Sequence, residues 1–453
     1  MRAPIDDSRP VWQTIAVFLI PLMLSNILQS ASATANSIFI GRMIGVSALA
    51  AISSFFPLLF FMISFLIGLG SGSTILIGQA YGAGNARRVK QVAGTALGLT
   101  IVLGVVVGIG GAIGAHAILA AIGTPADIIG TSESYARILF LALPLLFAYL
   151  VYTTFLRGVG DSRTPFYFLI VTAVVTLTAT PALIQGWLGL PKLGVNAAAV
   201  ATILANAVSF AAFLWYLSWS NNPLKFDAEM ARDLWLDLPT VWKIIRIGIP
   251  TGIGLVTVSL SEIAVISFVN RYGSHATAAY GAVNQIVSYV QFPAISTGIA
   301  ASVFGAQTIG AGRFDRLGKI VRSAVALNYV IGGVLIAICY AFAWPLLGVF
   351  LTDESTLNIA HQLLMITLWS YLIFGNNIVL AGVMRSSGTV LWPTLLGIVS
   401  IWGVEVPVAW LLMQRLGLDG IWIAYPVAFF ANLLFQSTYY FVFWKKRRIQ
   451  ALV

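Results

Sequence analysis

Residues 78–88, GQAYGAGNARR, return at 306–316 as AQTIGAGRFDR, a shift of 228 positions in a chain of 453. The correspondence is positional: Gln79 matches Gln307, Gly82 matches Gly310, Gly84 matches Gly312 and Arg88 matches Arg316. The same shift pairs Arg157, Gly160 and Pro165 with Arg385, Gly388 and Pro393, and Ala48, Ala50 and Ala51 with Ala276, Ala278 and Ala279. Pro21 and Pro250 correspond at a shift of 229. One unit is therefore built twice, and an internal repeat constrains the fold before any other feature.

Composition decides the solvent of that repeat. The chain is 59% hydrophobic and only 9% charged, where a soluble domain carries roughly 25% charged residues. With a mean hydropathy of +0.93 it reads as an all-α integral membrane protein. Apolar runs predict twelve spans, at 14–39, 47–74, 92–115, 134–156, 165–186 and 195–219, then 245–269, 276–304, 320–344, 358–383, 391–413 and 419–443, each near the ~20 residues a bilayer needs. Six spans per half is an even number, so the halves enter the membrane in the same sense, as parallel repeats. The domains expected are a six-helix lobe over 1–219, a cytoplasmic connector at 220–243 and a second lobe over 244–453. In the connector, Leu224, Met230, Leu234, Trp235 and Leu238 recur at roughly helical spacing among charges, which reads as an interfacial helix. In a hydrophobic chain, such a repeat points to a transporter with its site at the interface of two halves.

Loop charges orient the chain. Twenty of the 25 Lys and Arg fall on one side: Arg2, Arg9, the 87–90 cluster, Arg157, Arg163, the 225–246 segment, the 313–322 cluster, Arg385 and Lys445–Arg448. Arg42, Arg137, Lys192, Arg271 and Arg415 fall on the other. The richer side is read as cytoplasmic, with both termini inside and the chain in a plasma (inner) membrane. The run IAVFLIPLML followed by SASATA resembles a cleavable signal. Cleavage there would delete the first helix of one half and leave its twin, so the run is read as a span. Trp12, Trp187, Trp219, Trp242, Trp344, Trp392, Trp422 and Trp444 fall near span ends and read as interface anchors.

Several function classes drop out. The single cysteine, Cys339, excludes an internal disulfide and a cysteine metal cluster, and three scattered histidines argue against any metal site. The net charge of +10 is explained by topology, so nucleic acid is not an expected partner. No GxxxxGK[ST] phosphate loop exists, which removes an ATP-driven pump on this chain. Glycine runs such as 68–72 and 104–114 lie inside spans, where small residues let helix backbones approach. No paired catalytic carboxylates or nucleophile elbow are present, so an enzyme is not expected.

The two glycine loops, QAYGAGNARRVK and QTIGAGRFDRLGK, read first as tight turns carrying topology charges, with a gating contact as the sharper reading. With Pro21, IFIGRMIGVSALAA at 38–51, LRGVGDSRTP at 156–165 and LGVNAAAVAT at 193–202, and their counterparts, they make the whole chain resemble the multidrug and toxic compound extrusion family, of the bacterial DinF-like type. That resemblance implies twelve helices in two lobes, alternating access, and export of organic, often cationic compounds in exchange for protons or sodium.

The chain departs from the family where ions are expected. Many members carry an aspartate on the first helix where this chain has Asn36, and an Asn and an Asp before a proline on the fifth helix where this chain has Thr176 and Thr180 ahead of Pro181. An amide coordinates sodium but exchanges no proton near neutral pH. Asn36, Thr176, Thr180, Asn196, Thr202 and Asn206 remain candidates for a polar first-lobe cavity. Other branches place a glutamate eight residues after the helix-seven proline, here Val258, while Glu262 lies one turn further on the same face.

Glu262 and Glu405 are the two acids well inside predicted spans, where a carboxylate costs about 2.5–3.5 kcal/mol on insertion scales and usually serves function. They are the expected ion-coupling residues. The chain is thus expected to be a monomeric secondary exporter of an amphiphilic organic molecule, a cation because no buried base is evident. It needs no cofactor beyond a coupling ion, a proton in preference to sodium. A lipid or lipid-linked saccharide flippase of the same superfamily and an intramembrane enzyme are the alternatives.

Overall fold

The computed structural model describes residues 10–220, 222–235 and 237–453, without the side chains of Val46 and Leu188. Arg2 and Arg9, counted above among the cytoplasmic charges, lie outside that set, as do Asn221 and Leu236 of the connector. Twelve helices of membrane-crossing length appear among the described residues, and no strand does. They are α1 (Val11–Met43), α2 (Ser47–Gly82), α3 (Ala86–Ala121), α4 (Ile129–Gly158), α5 (Arg163–Gln185), α6 (Asn196–Trp219), α7 (Leu238–Tyr272), α8 (Ser274–Gly310), α9 (Phe314–Ala341), α10 (Glu354–Ser386), α11 (Leu391–Leu416) and α12 (Leu418–Lys446).

All twelve expected spans are present, mostly longer than hydropathy drew them. Apolar runs mark only the bilayer core, whereas caps and turns decide where a helix stops. Asn85 caps α3 by accepting the Arg88 N–H at 3.0 Å, and Asp353 caps α10 by accepting the Thr356 N–H at 3.0 Å. The repeat is written into the turns. Gly45 and Gly273, Gly84 and Gly312, Gly160 and Gly388, and Gly189 and Gly417 are pairs at the 228-residue shift, and all eight have positive φ. Gly84 and Gly312 share φ +70° in the two glycine loops, a conformation that a side chain disfavours.

The chain divides into two compact units. One comprises Leu24–Ile77 and Asn85–Gly248, and the other comprises the stretch ending at Met23 with Gly78–Gly84 and Ile249–Val453. In the first unit, Gly104, Gly108 and Gly111 lie one turn apart along α3 and meet Pro144 and Phe140 of α4. A Cβ on Gly108 would sit 2.5 Å from the Phe140 carbonyl oxygen, so these glycines permit the contact. Phe55, Tyr135 and Phe140 fill the core beside it with edge-on ring contacts.

The connector belongs to this unit; Ala228–Arg232 forms a short helix within it, and its last residues, from Leu238 on, already belong to α7. The expected interfacial helix is not formed at full length. Leu224 and Met230 are fully buried, while Trp235 and Leu238 are exposed. The segment is held to α3 by ion pairs: Arg87 with Asp233 and Glu229, and Lys90 with Asp227 and Glu229. It also sits directly on glycine, since a Cβ on Gly98 would fall 2.3 Å from the Leu234 carbonyl oxygen. Burial pushes the Asp227 carboxyl up, but hydrogen bonds from Lys90 and the Met230 N–H outweigh it and hold the group below its ordinary range.

The second unit has two buried clusters. Ile15, Phe18, Leu19 and Leu22 of α1 pack with residues of α8, α9 and α10. The other cluster gathers Val265, Tyr280, Leu364, Tyr371, Ala409 and Trp422. Two of the tryptophans assigned to the interface are corrected here. Trp422 is fully buried and stacks on Tyr280 with ring centroids 5.8 Å apart, and Trp444, also buried, donates its Nε1–H to Ser387 Oγ at 2.9 Å. Position near a span end does not show which way a helix turns its side chains. Trp12, Trp187, Trp219, Trp242, Trp344 and Trp392 are exposed.

Candidate functional site

Glu405 owes its position to a proline. Pro407 has no N–H and its ring crowds the carbonyl four residues back, which removes a helix hydrogen bond and perturbs the turn before it. The chain responds with a π-helical turn over Ile401–Glu405 and resumes α-helix at Val406. Such bulges re-aim side chains and recur at functional sites. Glu405 is 5% exposed, buried midway along α11.

Glu262 is placed by the two faces of α7. Trp242, Ile249, Ile253, Leu260 and Ile263 form one exposed apolar stripe suited to lipid. Val258 and Glu262, one turn apart, are also exposed. At about 100° per residue they lie nearly opposite that stripe. Glu262 therefore lies on the side of α7 away from that apolar stripe, and it shares that side with the position where related branches carry their glutamate.

Three tyrosines belong to the cluster that α7 and α11 help to form. The Tyr280 and Tyr425 hydroxyls lie 2.8 Å apart. Asn284 follows Tyr280 one turn further along α8. Glu262 and Glu405 lie about one turn before Val265 and Ala409, which pack in the same buried cluster as Tyr280 and Tyr371. Among the described residues, neither acid has a salt bridge or a side-chain hydrogen bond. A carboxylate buried within a span is costly unless its charge is offset. No group of three or more His, Cys, Asp and Glu gathers into a metal-sized cluster among the described residues.

The tyrosines and amides were missed in the sequence. The available signal was a polar stripe: Tyr280, Asn284 and Gln291 recur at turn spacing along α8. Arg157 and Arg385 were missed as interior groups as well. They end α4 and α10, and the Nε of each is buried without a hydrogen-bond partner. The expectation that no buried base exists is therefore corrected.

The first-lobe candidates are distributed over several arrangements. The Asn36 Oδ1 and the Thr180 Oγ1 are buried without partners. Asn196 donates to Ser134 Oγ at 2.8 Å, and its own Oδ1 is unpartnered. Thr202 donates to the Ala198 carbonyl and Asn206 to the Thr202 carbonyl, each at 2.8 Å within α6. Thr176 is half-buried on α5.

The MatE family pattern matches the chain twice, over residues 21–181 and 250–411. The chain is 53% identical over 449 residues to the probable multidrug resistance protein YoeA of Bacillus subtilis, covering 98% of this chain and 97% of that one. It is 24% identical to an FAD transporter of Shewanella oneidensis, covering 96% and 95% of the two chains. A crystal structure of a mutant of the Vibrio cholerae MATE transporter VcmN superposes with a TM-score of 0.87 at 20% identity, over 96% of this chain and 98% of that one.

Proposed function

Since the chain belongs to the MatE family, we propose that it is a secondary active multidrug exporter, driven by protons and working by alternating access. The chain is a multi-pass membrane transporter and not an enzyme. The observation that carries the coupling proposal is Glu405, buried at mid-span in the same unit as Glu262, with no salt bridge or side-chain hydrogen bond to either acid among the described residues. Protonation of both carboxylates neutralises the pair in one state, and release of the protons to the other side of the membrane restores negative charge that an organic cation then offsets. Binding either ligand disfavours the other, which is the thermodynamic requirement of antiport. Glu262 is the principal coupling residue in this reading and Glu405 its partner. The transporter works as a monomer in the plasma membrane, with both termini cytoplasmic.

A second reading concerns substrate charge. The unpartnered Nε groups of Arg157 and Arg385 suit a molecule carrying an anionic group, and the Shewanella oneidensis relative is named for a substrate of that kind.

Efflux from proteoliposomes under separately imposed pH and sodium gradients tests the proposal, with an organic cation and a flavin nucleotide as alternative cargoes. Export of the cation driven by the pH gradient alone is expected. Export driven by sodium alone would overturn proton coupling, and export of the flavin alone would establish the second reading.

A further inference from the structure

Residues 447–453 fold back onto the second unit at the end that the charge bias assigns to the cytoplasm. Trp444 is anchored on Ser387, and Ile449 packs against the buried cluster that includes Val383 and Met384. The Leu452 N–H then donates to Gln79 Oε1 at 2.6 Å, while the Leu452 side chain lies where a Cβ on Gly388 would meet it at 2.7 Å. Gln79 is fully buried and donates in turn to the Ser386 carbonyl at 2.7 Å.

Gln79 is also part of the glycine crossing between α2 and α8. A Cβ on Gly82 would fall 2.0 Å from the Gln307 carbonyl oxygen, and a Cβ on Gly310 would fall 1.9 Å from the Gln79 carbonyl oxygen. The two backbones touch reciprocally at repeat-equivalent positions. One amide side chain thus joins this crossing, the end of α10 and residues 449–452.

The repeat supplies an independent comparison. Leu452 lies 228 residues after Leu224. Leu224 is fully buried, and its carbonyl is held by the Tyr152 hydroxyl, inside its own unit. The position of Tyr152 in the second repeat is Leu380, which offers no hydroxyl. Leu452 is held instead by Gln79, from the first repeat's glycine motif. The repeat-equivalent position has exchanged an anchor on α4 for one on the crossing.

We propose that residues 449–452 are a strap that, through Gln79, holds the crossing of α2 and α8 shut at the cytoplasmic end. The proposal rests on the alternating-access reading above, in which that end must open to load substrate. Releasing the strap shifts the population toward the open crossing, and replacing it ends the open phase.

The test uses Thr308→Cys in a Cys339→Ala background. Thr308 adjoins Gln307 at the crossing and is 2% exposed, so a cysteine there reports opening through its rate of reaction with N-ethylmaleimide in native membranes. Leu452→Pro removes the donated N–H and leaves Gln79 Oε1 buried and unsatisfied. Labelling about tenfold faster is expected, the equilibrium effect of one such hydrogen bond. Gln79→Ala should accelerate labelling comparably, and Ala451→Ser, at an exposed position, should not. If Leu452→Pro fails to fold, Leu452→Ala carries the same expectation through lost packing on Gly388. Unchanged labelling in the folded Leu452 variants would overturn the strap, and acceleration without an effect of Gln79→Ala would overturn its route. Expected labelling in a protein that exports nothing under any gradient would sink the transport reading and leave the strap standing.

Discussion

Gly82 and Gly310 occupy the same place in the two repeats, and each is pressed on the other's helix with no room for a Cβ. The expected outcome of Gly82→Ala or Gly310→Ala is a loss of about 1–3 kcal/mol, the usual range for overpacking a filled site. Thermal unfolding in detergent checks this, with Ala83→Ser on the adjacent exposed residue as the unaffected control. Equal stability in all three would mean that the crossing yields easily.

Glu262→Gln and Glu405→Gln each fix a neutral side chain of nearly unchanged size. Proton-driven efflux is expected to fall to the level of empty liposomes in both, at matched expression and folding. Retention in Glu262→Gln with loss in Glu405→Gln would transfer the principal role to Glu405. Retention in both would remove the carboxylate mechanism altogether.

Asn36→Ala is expected to leave pH-driven efflux within about twofold of the unaltered protein. The amide has no proton to exchange, and its Oδ1 is buried without a partner, so no bond from that oxygen is lost. Loss of coupling with substrate binding preserved would show that Asn36 organises an ion site in the first unit.

Asp353 gives an acid-side prediction. Hydrogen bonds from Ser355 Oγ, the Thr356 N–H and the Thr356 hydroxyl, in that order, hold its carboxyl down at about 2. A depressed folded value means that the contribution to stability is fully present above the unfolded value of about 3.9. It is lost as pH falls through 2. Melting of the unaltered protein and Asp353→Asn should therefore differ at neutral pH and converge below pH 4. A constant gap down to pH 2 would show that the cap does not titrate in that window.

The second unit shows why part of the site was legible and part was not. Glu262 and Glu405 stood out because a carboxylate inside an apolar run is costly, and cost is readable one residue at a time. Tyr280, Tyr371 and Tyr425 carry no such mark: a tyrosine in a span can face lipid, core or cavity, and only helix packing chooses. Trp422 makes the same point in reverse, since its place near a span end suggested the interface and the structure buried it against Tyr280. Arg157 and Arg385 were counted as loop charges because a span end on paper does not show whether the side chain turns inward.

The sequence by itself determined the twelve helices, the repeat and the glycine turns. Those follow from local quantities: apolar length against bilayer thickness, a 228-residue period, and φ values that glycine alone adopts freely. Tertiary structure alone decided that Gln79 joins the α2–α8 crossing to residues 449–452, and that the Glu405 carboxylate is buried in the same unit as Glu262. Those relationships depend on backbones meeting across hundreds of residues, and pairwise distance is not encoded in the order of the chain.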